Sequence, residues 1–416
     1  METKNKIENK NPAIGSETLK ADEFNALSFE LRNSHPKQAM QNAEEALTLS
    51  KKINYRKGEA DAFSNIGFLF IHEAKNEDAL TFLIDALSIY EKLNDENGIG
   101  NAQYNLGVLN VRIGNFDQAI NFLHKSLAIR EKQNDKSGLA ACYFQLTYLN
   151  RHFNDDESAF ENANRAVALR KEINDTAGLA AALMVLGDVY FKRNDLASAK
   201  ELFAQSLELR KISKERIGYF VSLVRWADLH IALKEFDKAR EFCEFGIKNA
   251  TEDGIKFGVL RFKQTLGKIE LAQNNLQKAC NIYSDALKYA EEYSFKSIEY
   301  ELLAAMTEVL KAQGKHKEAL EHYEKYHKIK EEVVSMQNNS QLKTVTLINQ
   351  IEFARKEAEL EKTKNAQLQE AYQIIELKNK DITDSIRYAK RIQTSLLPTE
   401  IYIERVLKMM EEKEFE

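Results

Sequence analysis

Proline and glycine are scarce, with 3 and 16 residues in a chain of 416. So few turn formers exclude a loop-rich or β-rich fold and leave room for long elements joined by short connections. Cysteine is scarcer still for this length. Cys142, Cys243 and Cys280 are scattered, odd in number and outside any CxxC spacing, which argues against a disulfide framework or zinc site and for a reducing, cytoplasmic compartment. No apolar run reaches the roughly 18 residues a membrane span needs, and the opening "METKNKIENKNPAIGSETLK" has no signal-peptide core. Charge of one sign is also lacking. A net charge of −5 and a pI near 6.0 give no pull toward nucleic acid or an anionic membrane. Neither GxxxxGKS nor GxSxG occurs.

What is present is a period of forty residues. Ala39, Ala79, Ala119, Ala159, Ala199, Ala239, Ala279 and Ala319 stand forty apart. A second column, Gly67, Gly107, Thr147, Gly187, Ala227, Gly267 and Thr307, is small throughout. A third, Gly58, Gly98, Gly138, Gly178, Gly218 and Gly258, is glycine until Ile298. Self-similarity at a spacing of 20 to 50 residues marks a solenoid. Small residues at fixed places let two helices approach closely, and the third column is expected between helices, where a positive φ is needed. Each unit reads as helix, turn, helix, turn: Ala102, Leu106 and Leu109 fall at helical spacing, "GNFD" turns the chain, and Ala119, Leu123 and Leu127 carry the second helix. Asn94 and Asp95, Asn134 and Asp135, and Asn174 and Asp175 recur as turn and capping residues.

With "NLG" at 105 to 107, "GNFDQA" at 114 to 119 and "SL" at 126 to 127, the units resemble tetratricopeptide repeats lengthened by six residues and lacking the family's proline at the end of the second helix. The resemblance implies an all-α superhelical solenoid of about eight helix pairs, whose concave wall is lined by the first helix of each pair. If that geometry carries over, the groove includes Asn101, Tyr104, Val108, Phe144, Tyr148, Arg151, Met184, Asp188, Arg225, Asp228, Arg261, Gln264 and Lys268. Aromatics early in that series suit an apolar anchor, and Arg225, Arg261 and Lys268 later in it suit the carboxylates of a peptide or protein ligand. His316, His322 and His327 lack the four-residue spacing of a helical metal pair, and Trp226 reads as core. No catalytic, metal or cofactor site is expected, nor any nucleic-acid or membrane partner.

After about residue 334 the forty-residue register stops. Leu368, Ile375, Ile382, Ala389 and Leu396 then stand seven apart, with Phe353 and Leu360 as a shorter pair upstream, and the seam slips by one residue at Gln367 and Leu368. A coiled-coil helix and a homodimer are expected. The expected organisation is a disordered segment over 1–17, the array over 18–333, a coiled-coil signalling helix over 334–397 and a short tail over 398–416. The stretch "DITDSIRYAKRIQTSLLP", with Ser385, Ile386, Tyr388, Ala389, Ile392, Gln393, Leu396, Leu397 and Pro398 in matching positions, resembles the linker helix that precedes the catalytic domain of SpoIIE-type metal-dependent serine/threonine phosphatases. That domain needs far more chain and several metal-binding aspartates than "TEIYIERVLKMMEEKEFE" supplies. The chain therefore reads as non-enzymatic: an interaction and signalling module, the regulatory part of such a phosphatase, or a regulator responsive to a peptide pheromone.

Overall fold

The computed structural model describes residues 12–213, 215–396 and 400–413. Among these residues there are seventeen α-helices and no strand, and the chain divides into two compact units, Met1–Thr344 and Val345–Glu416. The first unit holds eight helix pairs. They are α1 (Pro12–Leu31) with α2 (Pro36–Lys52), α3 (Arg56–His72) with α4 (Asn76–Leu93), α5 (Glu96–Ile113) with α6 (Phe116–Gln133), and α7 (Lys136–His152) with α8 (Asp156–Glu172). Then follow α9 (Thr176–Lys192) with α10 (Leu196–Ser213), α11 (Arg216–Ala232) with α12 (Phe236–Glu252), α13 (Lys256–Ala272) with α14 (Leu276–Glu292), and α15 (Lys296–Ala312) with the start of α16 (His316–Leu396).

Why the helices stop where they do is visible in the backbone. A residue in the left-handed region recurs every twenty positions: Asn54, Ala74, Asn94, Gly114, Asn134, Asn154, Asn174, Asn194, Lys234, Gly254, Asn274, Ser294 and Gly314. Residue 214, next in the series, lies outside the described residues. At each stop the following N–H reaches the carbonyl five residues back, as from Asp95 to Tyr90 (2.9 Å), Asn115 to Asn110 (2.9 Å) and Asp135 to Arg130 (3.0 Å). This double closure satisfies carbonyls that a helix end leaves unpaired. Asparagine dominates because its short polar side chain tolerates positive φ better than other non-glycine residues. The new helix is then capped: the side chains of Asp95, Asp135 and Asp175 accept from the N–H of Gly98, Gly138 and Gly178 at 2.9 to 3.0 Å.

The column beginning at Gly58 is not the turn. These glycines sit third in the first helix of each pair, four residues past the left-handed residue, and none has positive φ. Their role is close approach. A Cβ at Gly98 would enter the ring of buried Tyr90, and at Gly138 or Gly218 it would meet the guanidinium of Arg130 or Arg210. Arg130, Arg170 and Arg210 cross over these glycines to pair with Asp135, Asp175 and Glu215. The column beginning at Gly67 behaves as its small side chains require: Gly67, Gly107, Gly187 and Gly267 lie against Leu83, Leu123, Phe203 and Tyr283 of the second helix. The alanine column is fully buried from Ala39 to Ala279 and nearly so at Ala319.

The first helix begins at Pro12, before the expected start at residue 18; proline is well tolerated in a first helical turn. Residues 1–11 of the expected disordered segment lie outside the described residues. At the other end of the first unit, α16 meets the second pair: Asn76 Nδ2 donates to Ser340 Oγ at 3.1 Å, and Lys343 Nζ lies 2.8 Å from Glu77 Oε1. The second unit comprises the rest of α16 and α17 (Glu400–Lys413). Helix α16 passes Gln367 and Leu368 without interruption. Where a short tail was expected there is a helix, because Ile403, Leu407 and Met410 keep helical spacing with no glycine or proline among them. Leu397 and Pro398 lie outside the described residues.

Two glycines in the same column separate close approach from turn geometry. Gly98→Ala is expected to destabilise the array by about 1 to 3 kcal/mol through overpacking against Tyr90. Gly258→Ala, whose Cβ would meet Ala250 and Ile255 at 3.3 and 3.4 Å and Phe220 at 3.9 Å, is expected to stay within about 1 kcal/mol of the parent, helped by alanine's helix propensity. Equal losses in urea unfolding would refute this account.

Candidate functional site

First helices of successive pairs touch from α1 through α13, whereas no comparable contact joins successive second helices among the described residues. The odd-numbered helices therefore crowd toward one wall of the first unit. Residues four apart on each of them share a face, and the forty-residue register aligns those faces from helix to helix.

The early part of this wall is aromatic. Tyr104 and Val108 on α5 are half-buried, and burial raises the Tyr104 phenol above its ordinary pKa. The Arg130 guanidinium lies 5.8 Å from the centre of the Tyr104 ring and donates to Asn101 Oδ1 at 2.8 Å. On α7, half-buried Phe144 meets exposed Tyr148 edge-on at 5.4 Å. Phe68, forty residues before Val108, belongs to the same row and is absent from the series read from the sequence. The register itself supplied the signal that would have found it.

The later part is a ladder of ion pairs. Asp188 on α9 is 6% exposed, with Arg151 of α7 at 3.2 Å on one oxygen and Arg225 of α11 at 3.4 Å on the other. Arg225 also lies 3.7 Å from Asp228, which receives Lys268 of α13 at 3.2 Å. Burial pushes the Asp188 carboxyl above the usual carboxylate range, although Arg225 and Arg151 pull it back. Further along, Arg261 Nη1 donates to Glu301 Oε2 at 2.7 Å and to Gln264 Oε1 at 2.9 Å, while Gln264 Nε2 donates to the same Glu301 oxygen at 3.0 Å. Arg225, Arg261 and Lys268, read from the sequence as free to meet carboxylates, already hold carboxylates of the neighbouring first helix. Met184 and Gln264 are buried, Met184 in a cluster with Val185, Ala199, Phe203 and Leu229. Trp226 packs 4.8 Å from His230 and 6.2 Å from Phe242, as core.

In the second unit, Phe353, Leu360, Leu368, Ile375, Ile382, Ile386, Ala389 and Ile392 are all exposed on α16. Leu396 ends that helix, and its side chain lies outside the described residues. Among the described residues no helix is long and apolar enough to cross a membrane.

Asp188 is the node of the ladder. Asp188→Ala is expected to cost about 1 to 3 kcal/mol, because Arg151 loses its partner in a partly desolvated place. Arg225→Ala, removing a side chain 46% exposed, is expected to cost about 0 to 1 kcal/mol. Chemical denaturation of both variants checks the order, and a larger loss from Arg225→Ala would refute it.

Tetratricopeptide-repeat models match residues 58–132, 98–172 and 179–213. No curated protein matches the chain in sequence. Among solved structures, the Rap protein complexed with competence and sporulation factor is similar at a TM-score of 0.61 and 16% identity, over 79% of this chain and 89% of that one. NprR in complex with its cognate peptide NprX gives 0.52 at 17% identity, over 79% and 89%. A signal transduction ATPase with numerous domains from Pyrococcus horikoshii, which carries a tetratricopeptide repeat sensor, gives 0.56 at 17% identity over 81% of this chain but only 52% of that protein. At such identities the likeness is one of fold. The matched segments are tetratricopeptide repeats, and the fold is an all-α tetratricopeptide-type solenoid.

Proposed function

We propose that the chain is a non-enzymatic, cytoplasmic interaction and signalling module that takes an extended peptide, free or part of a protein, along the wall of first helices. The observation that carries this reading is the division of the wall: exposed and half-buried aromatic and apolar side chains at Tyr104, Val108, Phe144 and Tyr148, followed by a self-neutralised polar ladder. An apolar anchor fits the first part, and the remaining peptide backbone can run past the second without meeting a strong unpaired charge. Rap and NprR, similar in fold, have been solved with a signalling factor and a peptide respectively, which supports a peptide as occupant. Buried thiols at Cys142 and Cys243, with no disulfide, fit a reducing compartment.

The second half of the proposal is dimerisation through α16. Its heptad-spaced apolar residues are exposed in a single chain, and a polar-sided helix gains stability by pairing. A second reading rests on the linker-like stretch 381–398: the array regulates a SpoIIE-type phosphatase activity through this helix.

Pools of eight-residue peptides offered to the full chain are expected to yield bound species that are lost from a Val108→Glu, Tyr148→Glu variant. Retention of none would refute the peptide groove. Light scattering is expected to give a dimer for the full chain and a monomer for both the chain ending at residue 333 and the Ile382→Asp, Ala389→Asp variant. A dimer mass unchanged by these substitutions would sink the seam.

A further inference from the structure

Helix α16 packs on the first unit at two places. Near its start, Ala319 is buried, Tyr326 and Ile329 lie against the core shared by the last pairs, and Glu332 pairs with Lys296 at 2.8 Å. Three helical turns past Ile329, the same face of the helix returns at Ser340 and Thr344. Half-buried Ser340 accepts the hydrogen bond of Asn76 at 3.1 Å, Lys343 lies 2.8 Å from Glu77, and Thr344 is fully buried. Between the two places, residues 334–339 are all exposed.

Both the span and the second contact are weak by composition. The span over 333–340 reads "VVSMQNNS", and its β-branched valines, serines and asparagines support a helix less well than the Glu, Lys, Leu and Ala that surround it. A stretch of helix with no packing partner depends on such propensities. At the contact on α4, Asn76 Oδ1 and Thr344 Oγ1 are buried without a hydrogen-bond partner, and each such oxygen costs stability. The ion pair joins side chains 65% and 59% exposed, so it adds little.

We infer that residues 333–340 are a hinge and that Ser340, Lys343 and Thr344 form a latch on α4, which opens and closes while the eight pairs stay folded. Closed, the latch ties the last pair to the second. Open, it frees α16 from the hinge onward and uncovers the start of α4 at Asn76 and Glu77. The two unpaired oxygens burden the closed state alone and so bring the two states closer in free energy. A ligand or partner that contacts one state only then shifts the balance between them. The device is independent of what the wall of first helices binds.

Hydrogen exchange of the full chain, read by mass spectrometry over residues 330–344 and the start of α4, tests the device. Thr344→Val nearly keeps the side-chain shape and removes the unpaired hydroxyl, and it is expected to slow exchange in 330–344 at least threefold. Thr344→Arg puts a charged side chain where the contact has no room for one. It is expected to speed exchange in 330–344 and at the start of α4 at least tenfold, with α7 to α13 exchanging at the parent rate. Exchange in 330–344 that ignores either substitution would overturn the latch. Faster exchange of Thr344→Arg throughout the array would overturn it too, since the contact would then be a fixed part of the fold.

Discussion

The array depends on one backbone event repeated every twenty residues: a helix closes on a left-handed residue, and the next N–H reaches back five residues. That closure fixes helix length at 17 or 18 residues from α3 to α15 and so sets the pair at forty. Everything else in register follows from it. The N-cap aspartates, the glycines beneath Tyr90, Arg130 and Arg210, and the buried alanines occupy constant places because the closure does. The left-handed conformation disfavours most side chains, yet Ala74, Lys234 and Ser294 adopt it, so the surrounding packing overrides local preference there.

The fold was legible because two of its constraints are steric and absolute. A residue squeezed between helices must be small in every repeat, and the columns at Ala39 and Gly67 announce this without further information. The third column was legible as a pattern but not as a cause. A glycine near a helix boundary serves either a positive φ or a close neighbour, and only the placement of Tyr90 and Arg130 tells which. The true turn column was legible at Asn94, Asn134 and Asn174 but not along its whole length, because its residue varies among Asn, Gly, Ala, Lys and Ser. Along the first helices, helix-face arithmetic gave shared faces but not the depth of each side chain. Met184 and Gln264 are buried, and the partners of Arg225, Arg261 and Lys268 on neighbouring first helices lie 37 to 40 residues away. Charges of opposite sign at such separations become neighbours only once the repeat length is fixed.

The wall joins two electrostatic regimes. Along α7 to α15, Arg151, Arg225, Arg261 and Lys268 each pair with a carboxylate on a neighbouring first helix, and these contacts tie adjacent repeats together. At the α1 end, Arg32 lies instead against the rings of Phe29 and Phe68.

The contact of Ser340 and Lys343 with Asn76 and Glu77 changes the character of the first unit. A linear stack of repeats unravels from its ends, since terminal repeats have one neighbour where internal ones have two. Here a late segment clasps an early one across more than 260 residues. The second pair thus gains a companion from the far end of the chain. Winding or unwinding the coil between α4 and α16 would therefore strain or release these two contacts.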